Sequence, residues 1–240
     1  MSTPIDLVVG LGNPGPQYEH TRHNAGFRFV DALAARHGAS FRTHARFFGE
    51  LTEISVAGRR VRLLKPMTYM NESGRSVGAV ARFYRYAPDA VLVVHDEIDL
   101  PAGTVRLKRG GGEGGNRGLR SVTSGLGGNA YVRLRIGVGH PGSAPQVVDF
   151  VLKRASADDQ RATEEAAERA YAVMGDIIGG DLGQAMNTLN RREADAKAPA
   201  PDSAEPGFEP PKPKTVNADS REAKSGAVKS TAKPGERRGL

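Results

Sequence analysis

The sequence predicts an α/β fold, with a single domain in which a twisted mixed β-sheet is surrounded by α-helices. Short apolar runs alternate with segments whose apolar residues recur at helical spacing, as expected of parallel strands joined by crossover helices. One pair of runs, 47–56 and 60–64, flanks a short glycine-containing loop and predicts a hairpin that adds antiparallel pairing. The length of 240 residues allows one or two domains.

The individual elements follow from apolar periodicity and from the residues that stop it. The run 90–95 is the most apolar in the chain and predicts a central strand. Gly38 ends the first predicted helix, and Pro88 lies just beyond the second. The predicted elements are strand 5–9, helix 24–37, the hairpin 47–56 and 60–64, helix 71–86, strand 90–95, strand 104–107, helix 119–126, strand 132–138, and helices 158–178 and 182–190.

The segment from Glu193 onward is predicted to be a disordered tail, which leaves a domain of residues 1–192. It holds seven of the fifteen prolines and only four large apolar residues, too few to offset the entropy of ordering. It also holds nine of the 34 basic and eight of the 27 acidic residues, so nearly all of the net charge of +7 belongs to the domain. A basic domain is typical of a protein with a polyanionic partner, although charge alone does not identify one.

Cysteine usage and the N-terminal pattern bear on the compartment. The sequence contains no cysteine, which excludes disulfide bonds and thiolate chemistry. Asp6, Gly10 and Pro14 interrupt the first apolar run, so neither a signal peptide nor a membrane span is predicted there. We expect a cytoplasmic monomer with no membrane partner.

The stretch “LVVGLGNPG” contains Gly10, Gly12 and Gly15 in the spacing G-x-G-x-x-G, which in many enzymes binds the phosphates of a dinucleotide. That function requires a helix that opens inside the motif. Pro14 and Pro16 disfavour such a helix, because each lacks an N–H and pushes the preceding residue away from helical angles. A nucleotide-dependent enzyme stays an alternative, but a glycine-rich turn after a buried strand is the better interpretation.

Polar side chains follow three separate predicted strands at their carboxyl ends, where ligands bind in open α/β sheets. His23 is a candidate general base, because an imidazole titrates near neutral pH. Asp96 follows the strand 90–95 and is a candidate to orient that imidazole and to stabilise its charged form. Asn13 and Asn71 are candidate hydrogen-bond donors to a carbonyl oxygen that becomes an oxyanion.

Each candidate also has a purely structural interpretation. His23 is one of several histidines in the N-terminal part of the chain, Asp96 suits a turn, and Asn71 suits a helix cap. Glu97 and Asp99 lie close to Asp96, but their spacing matches no metal-ligand pattern, so no metal is expected. The sequence offers no cysteine and no G-x-S-x-G serine, which favours activation of water over covalent catalysis.

Four separated segments span most of residues 5–190: “LVVGLGNPGPQYEHTRHNAGF”, “LLKPMTYMNESG”, “VVHDEIDLPAG” and “RLRIGVGHPG”. Together they resemble the bacterial peptidyl-tRNA hydrolase family, in the order of that family and at compatible distances. The resemblance implies an enzyme that hydrolyses the ester bond between peptide and tRNA in products of stalled or aborted translation, with no cofactor.

The same resemblance implies roles for individual residues. His23 activates water and Asp96 orients it, while Asn13 and Asn71 hold the peptide and steady the oxyanion. The acceptor stem and 3′ end of the tRNA lie along the basic protein surface, for which solvated strand faces are the alternative interpretation. The resemblance places Tyr18 and Met70 along the cleft, and Arg106, Lys108 and Arg135 at tRNA phosphates.

One segment departs from the family, which usually has Gly-His-Asn-Gly-Leu where this chain has “GNRGL”. Aligned on Gly118 and Leu119, Asn116 takes the place of the histidine and Arg117 that of an active-site asparagine. Three consequences are open: Asn116 reaches the site instead, Arg117 donates to the oxyanion or a phosphate, or the site is impaired. The alternative function is therefore an RNA-binding homologue with weakened or lost hydrolase activity.

Overall fold

The computed structural model describes residues 2–197, which contain seven strands and seven α-helices. The strands are β1 (Leu7–Gly10), β2 (Arg42–His44), β3 (Gly49–Val56), β4 (Arg59–Pro66), β5 (Val91–Glu97), β6 (Val105–Arg109) and β7 (Val132–Gly137). The helices are α1 (Ala25–Arg36), α2 (Ser73–Tyr84), α3 (Arg117–Leu126), α4 (Val147–Val151), α5 (Ala157–Ala172), α6 (Met174–Gly179) and α7 (Leu182–Lys197).

All seven strands form one mixed sheet in the order β2-β3-β4-β1-β5-β7-β6. The central strands β4, β1, β5 and β7 are parallel to one another. Antiparallel pairing is confined to β2 with β3, β3 with β4, and β6 with β7. This arrangement confirms the predicted α/β fold with a mixed sheet, and it brings the carboxyl ends of β1, β5 and β7 to one edge.

Two apolar clusters cover the two faces of the sheet. Val8 on β1 packs with α1, α5, α6 and α7 on one face. Val9, the next residue, packs with α2 and α3 on the other face. Neighbouring side chains of a strand point to opposite faces, and helices cover both faces of this sheet. Val8 and Val9 are therefore both fully buried, as predicted for the first strand.

Glycines at the end of β1 and just beyond it make room for α1. A methyl group on Gly10 would collide with the carbonyl of Gly26, and one on Gly12 would collide with the ring of Phe27. The helix itself begins at Ala25, well past the glycine motif, which confirms the late start that the prolines predict. The glycines therefore serve close packing of helix on strand and not a phosphate cradle at a helix N-terminus.

One expectation about β5 is wrong in detail. Asp96 lies within the strand and not after it, because pairing with β7 continues through Glu97 opposite Gly137. The sequence analysis ended the strand at the last apolar position, yet charged residues at a carboxyl end can continue the backbone ladder. The carboxylate is thus positioned by a paired strand, which is more rigid than a turn.

The remaining differences concern elements without a strong apolar pattern. The predicted helix 158–178 is broken at Val173 into α5 and α6. The sequence analysis also missed β2, whose three residues are all polar, and α4, which is too short to show periodicity. Helix α7 runs to Lys197, beyond the predicted boundary at residue 192, and the rest of the predicted tail lies outside the described residues. None of the helices within residues 2–197 combines the length and the apolarity needed to span a membrane.

Candidate active site

The structure brings His23 and Asp96 into direct contact. His23 lies in a single helical turn just before α1, and its Nδ1 is 2.9 Å from each carboxylate oxygen of Asp96. Because a carboxylate only accepts hydrogen bonds, Nδ1 carries a hydrogen and donates it. This leaves Nε2 of the neutral ring as an acceptor. The side chain of Asp96 is 3% exposed and that of His23 is 16% exposed, so the ring retains access to solvent.

The environment changes the basicity of His23. Burial of the ring disfavours its charged form, but the charge of Asp96 and its hydrogen bond outweigh burial and raise the pKa of His23 above 6.5. The pair is therefore arranged to stabilise an imidazolium. A ring of this kind can accept a proton from water and keep it while a bond is broken.

The side-chain amide of Asn13 has a fixed orientation. Its Oδ1 accepts a hydrogen bond of 2.7 Å from the backbone N–H of Met70, so its Nδ2 is the free end. Within residues 2–197 that Nδ2 makes no hydrogen bond. Asn13 therefore has an N–H group to donate to a substrate oxygen, and its carbonyl end ties the loop after β1 to the segment that contains Met70.

Asn24 is a structural partner of the site that sequence analysis missed. It is 2% exposed, its Oδ1 accepts from the backbone N–H of Asn13 at 2.8 Å, and its Nδ2 donates to the carbonyl of Asn13 at 2.9 Å. Since Asn24 adjoins His23, this double hydrogen bond links the proposed base to the proposed oxyanion donor. An asparagine before a helix is usually interpreted as a cap, so this contact could not be predicted from the sequence.

Arg22 is a second buried residue that the sequence did not single out. Its Nη1 donates to the carbonyl of Arg154 at 2.9 Å, and its guanidinium lies 4.1 Å from the centre of the Phe150 ring. An ion pair of 3.6 Å with Asp159 adds to these contacts. Through these contacts Arg22 holds the segment around α4 next to His23.

Met70 and Asn71 lie where α2 and α3 meet. Met70 is buried, and a methyl group on Gly118 would collide with its sulfur, so α3 begins directly against it. Asn71 is exposed, and the N-cap position of α2 is Glu72, which makes no side-chain capping bond. The helix-cap interpretation of Asn71 therefore does not hold. Its side chain lines a groove that Arg117 also lines.

The two residues that depart from the family pattern have different surroundings. Asn116 caps α3, because its Oδ1 accepts from the N–H groups of Gly118 and Leu119 at 2.9 and 3.1 Å. The side-chain oxygen of Asn116 is therefore occupied by hydrogen bonds to the start of α3 and is not directed to the cleft. Arg117 is the first residue of α3 and is exposed beside Asn71.

The other predicted residues lie at the edge of the cleft or on the outer strands. Tyr18 is half-buried in the loop that leads to His23. Arg106 and Lys108 are exposed on β6, and Arg106 lies opposite Arg135 in the ladder with β7. Arg135 pairs with Glu97 at 2.9 Å, so part of its charge is already balanced.

Arg133 has a structural role that sequence analysis missed. It is 3% exposed, and its guanidinium donates to the carbonyls of Gly111 and Gly112. It thereby holds the glycine-rich loop that connects β6 to α3. In the part of the chain that the structure describes, no group of three or more His, Asp or Glu side chains is arranged to hold a metal ion.

Comparison with known proteins gives consistent matches. Residues 7–197 match the model of the family described as peptidyl-tRNA hydrolase. A peptidyl-tRNA hydrolase of Teredinibacter turnerae is 50% identical over 191 residues, which cover 79% of this chain and 99% of that protein. One from Pseudomonas entomophila is 50% identical over 193 residues, which cover 80% of this chain and all of that protein. The crystal structure of peptidyl-tRNA hydrolase from Acinetobacter baumannii is 45% identical, with a TM-score of 0.77 over 79% of this chain and 96% of that one.

Proposed function

The chain belongs to the peptidyl-tRNA hydrolase family, and we propose that it hydrolyses the ester bond between peptide and tRNA with water activated by His23. The observation that carries this assignment is the contact between His23 and Asp96, with Nε2 left as the acceptor. Ester hydrolysis needs a base, a group that orients it and donors for the oxyanion, all of which this cleft can supply. The two products are a free peptide and a free tRNA.

The proposed reaction proceeds in two steps. His23 Nε2 takes a proton from water as the water oxygen attacks the ester carbonyl, and Asp96 stabilises the imidazolium that forms. Asn13 Nδ2 and Asn71 donate hydrogen bonds to the oxyanion. The bond to the ribose oxygen of tRNA then breaks, and the imidazolium returns its proton to that oxygen. Water is the only co-substrate that the reaction consumes.

The finer features of the substrate are part of the same proposal. The acceptor stem and 3′ end of the tRNA would reach the cleft past Tyr18 and Met70. Arg106, Lys108 and Arg135 would contact phosphates, which is supported by their proximity on the ladder of β6 and β7. The protein would act as a cytoplasmic monomer on peptidyl-tRNA released from stalled ribosomes.

A direct assay tests this function. A tRNA that carries a labelled N-blocked peptide is incubated with the protein, and release of the peptide is followed over time. We expect turnover by the wild-type protein and loss of most of it in the His23→Ala variant. Tight binding of the tRNA without any release of peptide would instead establish an RNA-binding homologue.

The activity should depend on pH through His23. The neutral ring is the active form, and its pKa lies above 6.5 because Asp96 outweighs burial. We therefore expect kcat/KM to rise with pH through an inflection above 6.5 and to level off at higher pH. Measurement of initial rates at constant ionic strength between pH 5 and about 9 checks this. An inflection below 6.5 would contradict the proposed state of the pair.

Arg117 offers a separate test of the departure from the family pattern. The Arg117→Asn substitution restores the neutral amide of the family at the start of α3, next to Asn71. We expect kcat for peptidyl-tRNA to be preserved or raised. An Arg117→Ala variant serves as the control for loss of the arginine alone. A fall of more than about tenfold in kcat of the Asn variant would mean that the arginine donates directly to the reacting groups.

A further inference from the structure

A groove between α2 and α3 is lined by four arginines and by no acidic residue. It encloses about 560 Å³. Sequence analysis singled out only one of the four, because the others are spread over two helices that the sequence does not place side by side. The arginines are Arg75 and Arg82 on α2 and Arg117 and Arg120 on α3.

The floor of the groove is formed by closely packed backbones. A methyl group on Gly74 would collide with the carbonyl of Ser121, and one on Gly125 would collide with the backbone of Gly74. The N–H of Gly74 also donates to the Ser121 hydroxyl at 2.9 Å. The two helices therefore have little freedom to separate, and the arginines rise from a rigid base.

The charges of these arginines are not balanced within the described residues. All four side chains belong to exposed residues. Across residues 2–197 none of them forms an ion pair. Arg75 stacks on the exposed ring of Phe48 at 3.7 Å from its centre, which leaves its N–H groups unpaired. Four cations around one groove repel each other, and an anion bound there would relieve that repulsion.

The shape of the groove fits a chain of anions better than a single one. Arg75 and Arg82 are two helical turns apart, about 10 Å along α2. One phosphate or carboxylate would occupy only part of that length, whereas a nucleic-acid backbone presents phosphates in series. Guanidinium groups bind phosphate oxygens through two parallel hydrogen bonds, so arginine suits this ligand.

We propose that the α2–α3 groove binds the phosphate backbone of the tRNA part of the substrate. Asn71 lines the groove and also belongs to the proposed active site, so RNA held there would connect directly to the reacting ester. The groove is a second phosphate surface, separate from the residues on β6 and β7. This inference rests on the proposed function, which supplies the RNA.

The test compares two substrates in an Arg82→Gln/Arg120→Gln variant. One is peptidyl-tRNA, and the other is an N-acetylated aminoacyl ester of adenosine, which keeps the ester but has no phosphate. We expect kcat/KM for peptidyl-tRNA to fall roughly tenfold, mainly through KM, and the fall for the small ester to be several times smaller. The slope of log kcat/KM against log salt should decrease in magnitude by about 1.4 to 1.8, since two phosphate contacts are removed.

A matched variant separates the groove from overall charge. Arg60→Gln removes the same charge from a side chain that is 83% exposed on the hairpin, and Arg82→Gln/Arg60→Gln provides an equal total change. The proposal requires that kcat/KM for peptidyl-tRNA falls further in the Arg82→Gln/Arg120→Gln variant than in the Arg82→Gln/Arg60→Gln variant. The proposal would be overturned if the groove variant lost kcat/KM equally on both substrates. It would also be overturned if the Arg82→Gln/Arg60→Gln control lost as much kcat/KM for peptidyl-tRNA as the groove variant does.

A measurement of the binding of deacylated tRNA tests the groove independently of catalysis. The dissociation constant should rise roughly tenfold in the groove double variant. If the wild-type protein hydrolyses neither substrate, the proposed function fails, yet a rise in this constant would still support the groove. An unchanged constant in a variant that melts at the wild-type temperature would overturn the groove proposal while leaving the hydrolase assignment intact.

Discussion

Replacement of His23 by alanine is expected to lower kcat for peptidyl-tRNA by about 10²- to 10⁴-fold. The imidazole of His23 donates through Nδ1 to the carboxylate of Asp96, and its Nε2 remains an acceptor with access to solvent. Without it, water must attack unassisted, although Asn13 and Asn71 remain to bind the substrate. We therefore expect KM to change much less than kcat. Single-turnover measurements with excess enzyme give the chemical step directly.

The histidine that follows the last residue of α1 provides the control for this substitution. His37 is exposed just beyond the end of the helix, where its backbone N–H continues the hydrogen-bonding pattern but its ring has no role in the site. The His37→Ala variant should keep wild-type kcat and KM. If His23→Ala lost less than about threefold in kcat while remaining folded, His23 would not be the base.

The sheet could be predicted because its strands have simple signatures. The runs around Val8 and Val93 are continuous and apolar, as required of strands buried on both faces, and both are central strands in the structure. Charged strand ends are harder to predict. Asp96 was expected just after β5, because an apolar pattern cannot show that backbone pairing continues through charged residues.

The site was predictable only in part. The family resemblance pointed to His23 and Asp96, while periodicity alone did not distinguish His23 from the other histidines. The burial of Asn24 and Arg133 could not be predicted, since polar residues are usually exposed and their partners, 11 and 21 residues away, follow no regular spacing. The α2–α3 groove could not be predicted for a similar reason, because its arginines become neighbours only when the two helices pack against each other.

The carboxylate of Asp96 sets which nitrogen of His23 carries the hydrogen, so Asp96→Asn should be nearly as damaging as loss of the ring. An amide at this position can donate to Nδ1, and the neutral ring would then carry its hydrogen on Nε2. That tautomer cannot accept a proton from water. The substitution keeps the shape of the side chain, and we expect kcat to fall by about 10²- to 10⁴-fold with the fold retained.

The pH profile distinguishes this explanation from simple damage to the site. Asp96 raises the pKa of His23 against the opposing effect of burial, so its removal should move the inflection of the residual activity to lower pH. Asp99→Asn, the same change at an exposed position on the following turn, should leave both rate and inflection at wild-type values. A large fall in rate with an unmoved inflection would show that Asp96 supports the backbone of β5 but does not act through the imidazole. A lowered rate with a lowered inflection is what the contact at 2.9 Å requires.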